Sequence, residues 1–197
     1  MSVLRLQLPT DPRWVNIVEK NIAEILTDHA WCEQKAATNA ITIVTNNPNF
    51  PDLVTDMLAI AKEEIEHFDM VHELIKKRGF VLGRERKDEY AGELFAYMKQ
   101  NTTGERDSGL VERLLFSAMI EARSCERFKI LSENINDEEL AKFYRELMES
   151  EAGHYTVFIT HARKYGQRID VEKRWREWLD FEASVIARYG NRETIHG

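Results

Sequence analysis

Two residue pairs stand out for the chemistry they could do: Glu64 with His67, and Glu151 with His154, each a glutamate followed three positions later by a histidine. On a helix such residues project from neighbouring spots on one face, so each pair offers a carboxylate and an imidazole to a shared ligand. Steps of four and three residues place both pairs on stripes that are otherwise mostly apolar. One stripe reads Leu53, Met57, Ile60, Glu64, His67, Val71 and Leu74, the other Leu140, Tyr144, Leu147, Glu151, His154, Phe158 and His161. Two more stripes each carry one central glutamate. They are Ile22, Leu26, His29, Glu33, Ala36, Ala40 and Ile43, and Leu110, Leu114, Ser117, Glu121, Ser124, Phe128 and Leu131.

Four ionised carboxylates facing a helical core are costly unless they are protonated or neutralised. Two divalent metals would balance their four charges, and two neutral imidazoles would complete the ligand set without disturbing that balance. Carboxylate with imidazole suits iron or manganese better than the thiolate sites favoured by zinc. The expected catalytic and metal-binding set is therefore Glu33, Glu64, His67, Glu121, Glu151 and His154. A single Glu-x-x-His is a common surface accident on a glutamate-rich helix. Two of them on core-facing stripes, each matched to a glutamate on the preceding helix, form the constellation of carboxylate di-iron and di-manganese bundles.

The elements that must position these groups are helices. The chain has 197 residues, 43% of them hydrophobic, with only 9 Gly and 4 Pro, and it is rich in good helix formers. One domain spanning residues 1–197 is expected. The first helix is predicted over Pro12 to Thr45 and ends where Pro48 and Pro51 forbid continuation. The second runs from Asp52 to Arg78 and stops at Gly79. A long connection from Phe80 to Ser108 holds a short helix near Glu89 to Gln100 and closes at Asn101-Thr102-Thr103-Gly104. The third helix covers Ser108 to Ser132, the fourth Asp137 to Tyr165 with Gly166 as its stop, and a fifth Asp170 to Tyr189. Trp175, Trp178, Leu179 and Ile186 mark the packing face of that last helix.

Short turns after the first and third helices make two antiparallel hairpins, and the long middle connection lets the second lie beside the first. The predicted fold is all-α: a ferritin-like four-helix bundle with a long middle crossover and an extra C-terminal helix. Residues equally far from a hairpin turn share one level. From Asn49, Glu33 lies 16 residues back and Glu64 15 forward, and from Ile135, Glu121 lies 14 back and Glu151 16 forward. Glu126 competes with Glu121 but lies only nine residues from that turn and off the stripe. Cys125, one turn after Glu121, is a candidate pocket residue, although a small buried cysteine is more often plain packing. His29, one turn before Glu33, and Glu63 and Ser150, each beside a ligand glutamate, are candidate supports for the ligands.

Composition narrows the class. No apolar run approaches the ~20 residues of a membrane span, and Met1 to Asp11 lacks the pattern of a secretory signal, so a soluble cytoplasmic protein is expected. Two cysteines, Cys32 and Cys125, are too few for a disulfide scaffold, and without Cys-x-x-Cys spacing a rubredoxin-like iron domain, a zinc ribbon and a thioredoxin-like site lose their main support. A net charge of −7 opposes broad affinity for phosphates. Basic runs nonetheless occur at Lys76-Lys77-Arg78, Arg84-Glu85-Arg86-Lys87 and Lys173-Arg174-Trp175-Arg176. Such runs are usually solvated helix ends.

The segments Asp28-His29-Ala30-Trp31-Cys32-Glu33-Gln34-Lys35-Ala36-Ala37, Glu63-Glu64-Ile65-Glu66-His67-Phe68, Ile120 to Phe128 and Glu149-Ser150-Glu151-Ala152-Gly153-His154-Tyr155 resemble those of the tRNA 2-methylthio-N6-isopentenyladenosine hydroxylases. The resemblance implies a non-haem di-iron monooxygenase that uses O2 and two electrons to hydroxylate the isopentenyl group of a hypermodified adenosine beside the tRNA anticodon. It implies one iron on Glu33, Glu64 and His67, the other on Glu121, Glu151 and His154, and Glu64 and Glu151 as bridges. The implied partners are tRNA and an unidentified electron donor, with no membrane. Arg84, Arg86 and Lys87 on the long connection are the candidate contacts to the tRNA backbone. The rival readings are a ferritin-like ferroxidase or iron-storage cage and a rubrerythrin-like peroxide scavenger. A small species in solution, rather than a cage, is expected.

Overall fold

A computed structural model describes residues 4–103 and 106–196. Met1–Val3, Gly197 and Gly104 of the expected closing turn lie outside the described residues. Among the described residues there are seven α-helices and no strand. A 3-10 turn, Pro12–Trp14, leads into α1, Val15–Lys20. The first predicted helix is thus interrupted. Asn21, at φ −136° and ψ 36°, leaves helical conformation, and a new helix begins with the Ile25 N–H donating to its carbonyl at 3.0 Å. Asparagine is a residue type that favours helix starts over interiors. Two compact units follow, one of Val18–Lys87 with Glu193–Ile195, the other of the chain up to Ile17, Asp88–Arg192 and the C-terminal end.

In the first unit, α2 (Ile22–Asn46) and α3 (Pro51–Lys77) form a hairpin across a short turn. Pro51 opens α3 at a position where its missing N–H costs nothing. Leu53, Met57, Ile60, Glu64, His67 and Val71 are buried as the stripe requires, with Ile75 replacing Leu74 at the end. On α2, Leu26, His29, Glu33, Ala40 and Ile43 are buried. Gly79 adopts φ +73°, and its N–H and that of Phe80 reach back to the carbonyls of Lys76 and Ile75, both at 3.0 Å. This left-handed cap ends α3 where a side chain would be strained. The chain then runs along α2, where Trp31 Nε1 donates to the Gly83 carbonyl at 3.0 Å and the Gly83 N–H to Thr27 Oγ1 at 3.3 Å.

The second unit contains α4 (Glu89–Asn101), α5 (Arg106–Asn134), α6 (Glu138–Tyr165) and α7 (Val171–Tyr189). Three aspartates fix helix starts. Asp88, Asp137 and Asp170 accept from the N–H groups of Ala91, Leu140 and Lys173 at 2.8, 3.0 and 2.9 Å. Each such cap is worth about 1 kcal/mol. Gly166 ends α6 for want of space, since a Cβ there would lie 2.6 Å from Val171 and 2.7 Å from the Ala162 carbonyl. The α5–α6 hairpin buries its expected stripes, and Trp175, Trp178, Leu179 and Ile186 are buried on α7.

Candidate metal centre

All six expected ligands are buried, between 0% and 7% exposed. Within the α2–α3 hairpin, Glu33, Glu64 and His67 each offer a ligand atom, and these atoms lie within 4.8 Å of one another. The α5–α6 hairpin brings Glu121, Glu151 and His154 together by the same measure. Each hairpin therefore carries one triad of two carboxylates and one imidazole. Ile60 and Val71 flank the first triad along α3, and Leu147 and Phe158 flank the second along α6.

The first triad is held by protons and hydrogen bonds. His29, also buried, donates from Nε2 to Glu33 Oε1 at 2.5 Å. His67 Nδ1 lies 3.3 Å from Glu64 Oε2 and 3.7 Å from Glu33 Oε2. Burial works to raise the Glu33 pKa, but hydrogen bonds and charge from His29, with further bonds to His67 and Glu64, hold that carboxyl well below its usual range. For His67, burial opposes the charged form, yet bonds to Glu33 and Glu64 and their charges push its pKa up to about 11. A cation is what these carboxylates demand, and a proton on His67 supplies it locally. The hard oxygen donors with imidazole fit iron, so the donor chemistry of both triads matches such an ion.

Other candidates fall elsewhere. Glu126 is only half-buried and accepts from Thr10 N at 2.8 Å, Thr10 Oγ1 at 2.7 Å and Arg123 Nη1 at 3.0 Å. Glu63 is exposed and Ser150 half-buried. Cys125 is buried, its thiol donates to the Met148 carbonyl at 3.4 Å, and burial, with the charges of Glu151 and Glu126, pushes its pKa up to about 12. It is a neutral wall, not a thiolate. Arg86 of the connection expected to contact tRNA is engaged internally: it donates to the Glu193 carbonyl at 2.5 Å and lies 3.6 Å from Glu24 and 3.9 Å from Asp28. Arg84 and Lys87 are exposed. Arg174 likewise turns inward, to Glu112 at 2.5 Å.

Sequence reasoning missed a buried charged network on α5. Arg123 Nε donates to Glu182 Oε1 at 2.8 Å, which also accepts from Tyr90 at 2.9 Å, and Arg123 Nη2 donates to the Leu8 carbonyl at 3.0 Å. Arg127 donates to Thr10 Oγ1 at 3.1 Å and the Gly190 carbonyl at 2.9 Å and stacks 4.0 Å over Trp14. The available signal was Arg123 and Arg127 four apart, with Glu126 between them, on the helix that carries Glu121.

The sequence model of a family described as tRNA-(MS[2]IO[6]A)-hydroxylase (MiaE) matches residues 2–197. A Pseudomonas putida protein named tRNA 2-(methylsulfanyl)-N(6)-isopentenyladenosine(37) hydroxylase is 35% identical over 168 residues, covering 85% of this chain and 80% of that protein. A Salmonella typhimurium protein of the same name is 26% identical, covering 92% and 83%. Among solved structures, a Synechococcus protein with aldehyde deformylating oxygenase activity superposes with a TM-score of 0.87 at 28% identity, covering 98% of this chain and 95% of that one. The fold is the all-α, ferritin-like one expected from the helix pattern.

Proposed function

The chain belongs to the tRNA-(MS[2]IO[6]A)-hydroxylase (MiaE) family, and from that premise we propose a di-iron monooxygenase that hydroxylates the isopentenyl group of 2-methylthio-N6-isopentenyladenosine beside the tRNA anticodon. The observation that carries this reading is the pair of buried Glu, Glu, His triads, one per hairpin, in a chain of this family. In this reading Glu33, Glu64 and His67 would hold one iron and Glu121, Glu151 and His154 the other, with Glu64 and Glu151 as the carboxylates that would serve both. The similar distance of the two glutamates from each hairpin's own turn supports a common level within that hairpin, and this reading takes residues 1–197 as one catalytic domain acting in the cytoplasm.

A di-iron pair, when bound, supplies the reduction of dioxygen and the transfer of one of its oxygen atoms to an allylic carbon. The chain's own residues prepare for that. Four carboxylates match two dications charge for charge. His67 gives up its proton to become a ligand, and His29 keeps Glu33 oriented through the hydrogen bond it donates. The apolar residues on either side of each triad exclude water, which strengthens every charge interaction within. Electrons come from a separate donor.

Incubating prenylated tRNA with iron-loaded protein, a reductant and isotopically heavy dioxygen tests the reading by mass spectrometry of the nucleosides. The expected result is one heavy oxygen on the 2-methylthio-isopentenyl nucleoside. An unchanged nucleoside, or oxygen taken from water, contradicts it.

A further inference from the structure

Outside the ligand set, one buried histidine of the second unit has both ring nitrogens engaged. His196 is 4% exposed; its Nδ1 lies 3.1 Å from Asp88 Oδ2 and its Nε2 lies 3.0 Å from Ser124 Oγ. Its ring stacks on that of Tyr90 with centroids 5.7 Å apart, and the Tyr90 hydroxyl is fixed in turn on Glu182 at 2.9 Å. Carboxylate, imidazole and hydroxyl therefore follow one another in a single hydrogen-bonded chain.

The partners dictate where the ring carries its hydrogen. A carboxylate oxygen accepts, so Nδ1 is the donor, and Nε2 of the neutral ring accepts from the Ser124 hydroxyl. Asp88 is held in place for this, because its other oxygen caps α4 by accepting from Ala91 N at 2.8 Å. When the ring takes a second proton, Nε2 becomes a donor to Ser124 Oγ, and the serine hydrogen is released to a further acceptor. Ser124 follows Glu121 by three residues on the same stripe of α5, and both are buried. Residues so spaced stand ~5–6 Å apart at Cβ. Ser117, on that stripe too, bonds back to the Arg113 carbonyl at 3.0 Å, whereas Ser124 meets His196. The far end of the chain reaches Asp88, whose side chain keeps 10% of its surface in water.

Hydroxylation consumes protons as well as electrons: one C–H bond, dioxygen, two electrons and two protons become one C–OH bond and one water. We propose that His196 stores one of these protons at Nε2 and delivers it beside Glu121 through Ser124, with Asp88 holding the ring in register. The assignment rests on the hydroxylase reading for the reaction it serves. In the delivery step the Nε2–H bond breaks as Ser124 Oγ gains that hydrogen. The original serine proton leaves toward the oxygen atom that departs as water, and His196 ends neutral with its hydrogen on Nδ1. Water supplies the second proton and recharges Nε2 through Ser124 between turnovers. His196 is thus a positioning and proton-carrying residue that acts through Ser124.

The test has one arm without metal and one with it. In full-length iron-free protein labelled with 15N-histidine, and with His196 assigned by His196→Gln, neutral His196 is expected to carry its hydrogen on Nδ1. Asp88→Asn, which keeps a good cap for α4, is expected to lose that preference. In iron-loaded protein, His196→Gln should lower kcat on prenylated tRNA by roughly tenfold or more, the usual scale for a positioned proton donor. KM, iron content and helical circular dichroism should stay at wild-type values, and the solvent deuterium isotope effect on kcat should rise. Ser124→Ala should repeat this loss and Ser124→Thr, which keeps the hydroxyl, should restore turnover. A kcat in His196→Gln within about twofold of wild type, equal rates in Ser124→Ala and Ser124→Thr, or no Nδ1 preference in wild-type protein overturns the proposal. If the wild-type protein adds no oxygen to tRNA, the hydroxylase reading fails by itself. Reduction of dioxygen to water by reductant alone then decides the relay, with a larger solvent isotope effect in His196→Gln supporting it and an unchanged one overturning it.

Discussion

The two hairpins carry the same three ligand types but satisfy their buried charge in different ways. On α2–α3 the balance is struck among the ligands and one neighbour, with His67 between two glutamates and His29 on Glu33. On α5–α6 the same helix that supplies Glu121 also buries Arg123 and Arg127, whose partners come from the N-terminal segment, α4, α7 and the chain beyond it. In the first hairpin the buried charge centres on the ligands and His29, with Asp28 of α2 set apart beside Arg86. The other combines a ligand triad with a charged scaffold that ties its own unit together, so damage to the two should have different signatures.

The largest expected effect is on that scaffold. Arg123→Leu leaves Glu182 buried without its cationic partner, and losses of this kind run to ~3–5 kcal/mol. Urea unfolding should show it, and the double variant Arg123→Leu with Glu182→Leu should recover more than half, because the buried Glu182 carboxylate is then gone as well. Equal destabilisation in single and double variants would show that packing, not charge pairing, is at stake.

Next in size is the support of the first triad. His29→Ala should weaken iron binding by roughly 10–100-fold, the usual cost of removing a group that orients a ligand, while leaving folding of the second unit intact. Iron titration monitored by absorbance measures this. A change below about twofold would mean that Glu33 needs no such support.

A pH effect follows from the same hairpin. The His67 pKa in the metal-free protein is raised from 6.5 to about 11. Its protonated pairing therefore stabilises that state fully below pH 6.5 and is lost as pH rises through about 11. Iron must displace this proton, so loading at neutral pH should release protons and apparent iron affinity should rise with pH. Calorimetry in buffers of different ionisation enthalpy reads the release. Loading without proton release would show that His67 is neutral before metal binds.

The smallest effect is expected at Arg86. Its ion pairs are partly exposed, so Arg86→Ala should cost no more than about 1 kcal/mol. Reversing the charge of exposed Arg84 and Lys87 should instead weaken tRNA affinity and flatten its salt dependence. A filter-binding titration over a range of salt separates the two kinds of residue.

The legibility of these regions in the sequence follows their surroundings. The α3 and α6 stripes read cleanly because one face is buried and the other solvated, so a glutamate among leucines is conspicuous. Glu33 and Glu121 were found by counting from hairpin turns. Arg123 and Arg127 were not foreseen, because α5 is buried on several sides and its charges are met by Thr10, Leu8 and Glu182, all remote in sequence. The same blindness applies to the basic runs: Arg86 and Arg174 have local sequences typical of solvated charge, yet each turns toward acidic partners that only the fold supplies. The break at Asn21 was hidden because apolar spacing continues through it.

Mössbauer spectroscopy of protein reconstituted anaerobically with iron and then oxidised tests most directly whether the two triads share one centre. Two irons per chain in a magnetically coupled, diamagnetic pair are expected, with the coupling lost in Glu64→Ala or Glu151→Ala. Fewer than one iron per chain, or two uncoupled ferric ions in the wild-type protein, would mean that the hairpins do not build a bridged di-iron site.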